Sequence, residues 1–157
     1  MEFSIRDLRP DEYQLLDDFL YEAIFIPEGE ELPPRSVTEL PELRMYVDGF
    51  GSQKRDYALA AEFDGRIAGA VWTRIIPDYG HIDDDTPSFA ISLYPEFRGI
   101  GAGTALMRAM LERLRAEGWR HASLSVQKAN YAARMYFALG FRVYRDNPDE
   151  YVMIIDL

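Results

Sequence analysis

The stretch Arg98–Thr104, RGIGAGT, decides how the chain reads, because three glycines crowd five positions just ahead of a helical pattern. Glycine disfavours helices, so glycines at a helix start mark a backbone that needs positive φ or a close neighbour. Upstream, SFAISLYP (88–95) is an apolar strand ended by a proline. Downstream, Leu106, Met110 and Leu114 recur at i, i+4, i+8 and mark the buried face of a helix running to Glu117. Strand, glycine turn and helix N-terminus in this order offer unpaired N–H groups and the positive end of a helix dipole. That layout suits an anion such as a phosphate.

Two familiar phosphate loops do not fit. A Walker A loop needs Gly-Lys-Ser/Thr, and no lysine lies here. The dinucleotide pattern G-x-G-x-x-G would place its third glycine on Thr104 counted from Gly99, or on Leu106 counted from Gly101. That pattern also opens a first βαβ unit, whereas this loop follows a hairpin past the middle of the chain.

Working outward, FSIRDLR (3–9) alternates and reads as a first strand, and 10–24 as a helix. A Pro- and Glu-rich loop follows, then a short helix over 41–49 with proline in its first turn. YALAAEFDGRIAGAVWTRII (57–76) is a hairpin turning at Asp64-Gly65, a type I′ signal. The acidic loop PDYGHIDDDTP separates it from the fourth strand. Gly118-Trp119 and Gly140-Phe141 read as glycine helix ends with an apolar residue after them. HASLSVQ (121–127) is a fifth strand, Asn130 caps a helix to Leu139, and RVYR with EYVMIIDL forms a last hairpin. The expected fold class is mixed α/β, with a mostly antiparallel central sheet flanked by helices, in one domain over 1–157.

Composition narrows the partners. With 27 Asp and Glu against 17 Lys and Arg, the net charge of -10 argues against nucleic acid. The charge is uneven: residues 96–134 hold seven Lys and Arg against three Asp and Glu, leaving ten against twenty-four elsewhere. The glycine loop thus sits in a basic island of an acidic chain, as expected of one anionic and one cationic ligand. The chain has no cysteine, no long apolar run and no basic-then-apolar leader, so the expectation is a cytoplasmic protein off the membrane. His81 and His121 form no metal pattern, and no metal is expected. A homodimer is the default assembly.

Two blocks together carry a family resemblance. Arg98-x-x-Gly101-x-Gly103 after a strand and Pro95, and NYAARMYFALGF with Asn130, Ala133, Tyr136, Gly140 and Phe141, resemble the paired motifs of the GCN5-related N-acetyltransferases. The resemblance implies that fold, acetyl-CoA as acyl donor, and a small-molecule amine or peptide acceptor. It implies that the backbone of Ile91, Ser92 and Leu93 pairs with the pantetheine arm. The pyrophosphate would lie on Arg98, Gly99, Ile100, Gly101, Ala102, Gly103 and Thr104. Asn130 would touch the cofactor arm, and Tyr136 would protonate the departing thiolate. The chemistry agrees: a thioester arrives activated, so no covalent intermediate and no cysteine is needed, and a phenol is a competent general acid.

The general base is open. Neither the fourth nor the fifth strand carries an acid, and Ser125 stands where some relatives of the family have glutamate. Glu22, Glu62 and Asp83, Asp84, Asp85 are the candidates, with a water chain as the alternative. Acidic residues in the first loop, the 77–87 loop and the last hairpin suggest a cationic amine. Tyr21, Phe25, Tyr46, Trp72 and Tyr79 are candidate groove aromatics. A non-catalytic acyl-CoA sensor is the reading from another class; the missing strand acid favours it and Tyr136 disfavours it.

Overall fold

The computed structural model describes residues 2–157. Seven strands form one sheet: β1 (Ser4–Asp7), β2 (Tyr57–Phe63), β3 (Arg66–Arg74), β4 (Ser88–Leu93), β5 (His121–Gln127), β6 (Arg142–Asp146) and β7 (Glu150–Asp156), in the order β1-β2-β3-β4-β5-β7-β6. Every neighbouring pair is antiparallel except β4 and β5. The helices are α1 (Leu16–Glu22), α2 (Pro41–Arg44), α3 (Ala102–Ala116) and α4 (Ala132–Leu139). The mixed α/β expectation, with a mostly antiparallel sheet, holds.

Strand alternation sends side chains to two helical layers. Leu59, Ala61, Val71 and Phe89 pack with Leu106, Met107, Met110 and Leu114 of α3 and Tyr136 of α4. On the other face Ala60, Ala70 and Trp72 meet Leu16, Phe19 and Leu20 of α1 and Val47 beyond α2. The two inner strands must lie close. A Cβ on Gly69 would fall 2.4 Å from the Ser92 carbonyl oxygen and from Leu93 Cδ2.

Local signals translate directly. Asp64 and Gly65 both have positive φ, at 46° and 81°, as a type I′ hairpin turn requires. At the end of α3, Gly118 takes φ 89° and the Trp119 amide donates to Leu114 O at 3.0 Å. Gly140 and Phe141 repeat this on α4, with the Phe141 amide donating to Tyr136 O at 3.0 Å. Both are Schellman endings.

The first half departs from expectation. The helix expected over 10–24 starts as a 3-10 turn, Pro10–Leu15, and becomes α-helical only over Leu16–Glu22. The helix expected over 41–49 stops at Arg44. Beyond it the Arg74 guanidinium donates to the carbonyls of Met45 at 3.0 Å and Asp48 at 2.7 Å. Arg74 is itself paired with Asp56, at 3.0 and 3.2 Å, in a site nearly closed to solvent. This buried pair organises the turns between α2 and β2. The fourth strand ends at Leu93 and Pro95–Phe97 forms a 3-10 turn.

Candidate active site

β4 and β5 run parallel but share a single ladder pair, Ser88 with Ser123. There the Ser123 amide donates to Pro87 O at 2.9 Å. Beyond that point the strands part. β4 keeps β3 on its other side through Leu93, and β5 keeps β7 through Gln127. Each therefore turns an unpaired backbone edge into the gap. From Ser88, where it is still paired with Ser123, to Leu93, whose carbonyl accepts from Arg98, that edge is about 17 Å long at 3.3 Å per residue. Buried backbone groups need partners, so an extended ligand with amide groups is the chemical complement of this gap.

The glycine loop closes the open end of the gap. Gly99 and Gly101 adopt φ of 79° and 90°, and Gly101 caps α3. A Cβ built on either would meet no atom within 4 Å, so the space beside the loop is free. Among the described residues, Ala105 is the first amide of α3 to find a backbone acceptor, Gly101 O at 3.1 Å. The amides before it have no backbone acceptor and lie at the positive end of a 15-residue helix. Such a helix start is suited to an anion.

The side chains there have other work. Arg98 Nε donates to Leu93 O at 3.0 Å, and its Nη2 reaches Glu22 O at 3.4 Å and Glu22 Oε2 at 3.5 Å. Arg98 therefore ties the loop to the ends of β4 and α1. Ser92 Oγ, buried, donates to Phe19 O at 2.6 Å. Ile91 and Leu93 pack on the α3-side core. Asn130 Oδ1 accepts the Ala132 amide at 2.9 Å and its carbonyl accepts the Ala133 amide at 3.1 Å, so it caps α4.

Tyr136 lies on the buried face of α4, in the cluster that holds Phe89 and is lined by Ile91 and Leu93. Its ring meets Phe141 edge-on at 6.0 Å. Burial pushes its hydroxyl up to about 12, so the phenol stays protonated at neutral pH.

The base candidates scatter. Glu62 joins Arg6 at 3.2 Å on the β1 side of the sheet, away from the gap. Glu22 is held by Arg98. Asp83 accepts the Asp85 amide at 2.9 Å and the Thr86 hydroxyl at 2.8 Å, which makes it a turn residue, and Asp84 and Asp85 are exposed. Of the aromatics, Trp72 is core and donates to Tyr46 O at 3.1 Å. Tyr21 donates to Pro33 O at 2.6 Å, Phe25 and Tyr46 are half-buried, and Tyr79 is exposed.

One acid escaped the sequence reading. Asp78, in the 77–87 loop, accepts the Ser88 hydroxyl at 2.6 Å at the closed end of the gap. Its Oδ1 is buried without a protein partner. Burial raises its carboxyl above the usual range, against the hydrogen bonds from Ser88 and Tyr46. The loop crosses β5 here: Ser123 Oγ donates to Gly80 O at 2.7 Å, and a Cβ on Gly80 would come within 3.0 Å of the β5 backbone at Leu124 and Ser125. Ser125 is half-buried on this face, beside Ser123 in the pleat.

The model of the Acetyltransferase (GNAT) family matches residues 13–141. The chain belongs to this family. It is 29% identical over 130 residues to an uncharacterized N-acetyltransferase of Archaeoglobus fulgidus, covering 78% of this chain and 83% of that one. It is 37% identical over 83 residues to a mycothiol acetyltransferase of Thermobispora bispora, covering 52% of this chain but only 28% of that longer protein. The fold matches the PaiA N-acetyltransferase of Thermoplasma acidophilum, solved in complex with coenzyme A, at TM-score 0.73 and 18% identity over the full length of both chains. A Salmonella typhimurium relative solved with acetyl-CoA matches at TM-score 0.69 and 17% identity, covering 100% of this chain and 95% of that one. The protein is thus an acetyl-CoA-dependent acyltransferase of the GNAT fold. No helix of the described residues is long and apolar enough to cross a membrane.

Proposed function

We propose that the protein moves the acetyl group of acetyl-CoA to a primary amine on a small cationic molecule or a peptide N-terminus, by direct attack. The observation that carries this reading is the open β4–β5 gap, with the α3 amide cradle at one end and Tyr136 packed beside it. The cradle amides from Gly99 to Thr104 suit a pyrophosphate, and the free β4 edge from Ile91 to Leu93 suits the amides of pantetheine. Asn130 stands at the start of α4, where its unused side-chain amide can reach the same arm.

The steps follow from the groups present. A neutral amine attacks the thioester carbonyl carbon, and the C–N bond forms. A backbone N–H of the free β4 edge meets the charge that develops on the carbonyl oxygen. The C–S bond breaks, and Tyr136 gives its proton to the leaving thiolate. The cationic preference rests on charge. Asp17 and Asp18 of α1 are neutralised by Arg44 and Arg35, and Glu22 by Arg98. The field at the acceptor side then comes from Glu28, Glu30 and Glu31 and from Asp83, Asp84 and Asp85, all exposed.

A thiol-release assay with acetyl-CoA tests this across polyamines, aminoglycoside-like amines, peptide N-termini and acidic amino acids. Cationic amines should be acetylated fastest. Preference for acidic amino acids would overturn the acceptor assignment. Tight binding of acetyl-CoA with no thiol released by any amine would favour a sensor.

A further inference from the structure

We propose that Asp78 receives the proton that the attacking amine sheds, at its unpartnered Oδ1, directly or over one water. The proposal rests on the acetyl-transfer reading and supplies the base that β4 and β5 lack.

Three observations converge on this carboxylate. It sits at the closed end of the gap, bonded to Ser88, the residue where β4 and β5 last touch. The 77–87 loop carries it on the face of the sheet opposite α3 and α4, where Gly80 of the same loop lies against the β5 backbone at Ser123, Leu124 and Ser125. One carboxylate oxygen accepts from Ser88 and the other is buried with no protein partner, which is rare for a buried polar atom. The surrounding groups leave Asp78 without a cation of its own. Tyr46, from the segment after α2, and His81 are the other polar groups that act on it, and neither forms an ion pair with it. Arg74 of β3 is committed to Asp56 and to carbonyls. Burial therefore raises the Asp78 carboxyl toward the range useful to a base.

The proton balance closes. The amine nitrogen forms its bond to the carbonyl carbon and passes its surplus proton to Asp78. The C–S bond breaks and the thiolate takes the Tyr136 proton. Solvent then removes the proton from Asp78 and restores the one on Tyr136.

The test compares wild type, Asp78→Asn and Ser88→Ala in thiol release with acetyl-CoA and the best amine of the panel, from pH 5 to 9. CoA affinity and thermal midpoint are measured alongside. Asp78→Asn should lower kcat about a hundredfold or more, while CoA affinity stays within about threefold. The wild-type rate should rise with pH through a limb that this variant lacks. Ser88→Ala keeps the carboxylate but removes a hydrogen bond that lowers its pKa, so that limb should move to higher pH. A merely structural Asp78 would make both variants unstable in the same way and leave the limb in place. Wild-type turnover that survives in Asp78→Asn, with its pH limb intact, overturns the proposal alone. Failure of wild type to release thiol with any amine overturns the acetyl-transfer reading, and this proposal with it.

Discussion

Replacing Gly101 separates the anion cradle from the fold. A Cβ at Gly101 meets no atom within 4 Å, so a larger side chain enters open space. Its φ of 90° is strained for any L residue, which costs about 1–2 kcal/mol. That should lower the melting temperature by about 2–8 °C for Glu and Lys alike. Ligand affinity should divide the two. A carboxylate about 4 Å from a phosphate, at an effective dielectric near 20, is repelled by about 4 kcal/mol, a thousandfold in Kd. Gly101→Lys shares the backbone strain and carries the opposite charge. Isothermal titration with CoA should therefore show Gly101→Glu at least about a thousandfold weaker than Gly101→Lys, narrowing with salt. Equal affinities for the two variants, with both folded, would refute the placement of the pyrophosphate on this loop.

Tyr136→Phe removes a buried hydroxyl whose raised pKa has burial as its cause, so the melting temperature should stay within about 3 °C while kcat falls more than tenfold at unchanged CoA affinity. Asp56→Asn leaves the Arg74 charge uncompensated in a nearly closed site; thermal unfolding should show a loss of about 3–5 kcal/mol, or about 6–20 °C. The Glu12 carboxyl is held down to about 2, from 4.5, chiefly by Arg6, whose guanidinium donates at 2.8 and 2.9 Å. A depressed acid stabilises the fold above its unfolded pKa, and that stability drains away as pH falls from about 5 toward 2. The urea midpoint gap between wild type and Glu12→Gln should therefore be widest near neutrality and close in acid. Its size is about 3 kcal/mol unscreened and nearer 1–2 kcal/mol with solvent at the edge of the pair.

What was legible in the sequence was local. Asp64-Gly65, Gly118-Trp119 and Gly140-Phe141 each encode their turn within a few residues, and each forms as read. The glycine loop and the buried face carrying Tyr136 are likewise patterns within one segment. What failed depends on contacts between distant segments. α2 stops at Arg44 and passes into tight turns whose Met45 and Asp48 carbonyls are held by Arg74, on β3. Arg98 reads as a phosphate ligand, and the sequence does not show that its guanidinium also ties Leu93 O to Glu22. Asp78 reads as one more acid in a solvated loop, because only folding brings it to Ser88 and Tyr46. The parting of β4 and β5 after one pair is also invisible in either strand alone.

The most direct test is a crystal structure with acetyl-CoA bound. The pyrophosphate should lie on the amides from Gly99 to Thr104, and the pantetheine arm between β4 and β5. The sulfur should come within hydrogen-bond reach of the Tyr136 hydroxyl. Acetyl-CoA bound outside the gap, or a thioester out of reach of Tyr136, would contradict the account.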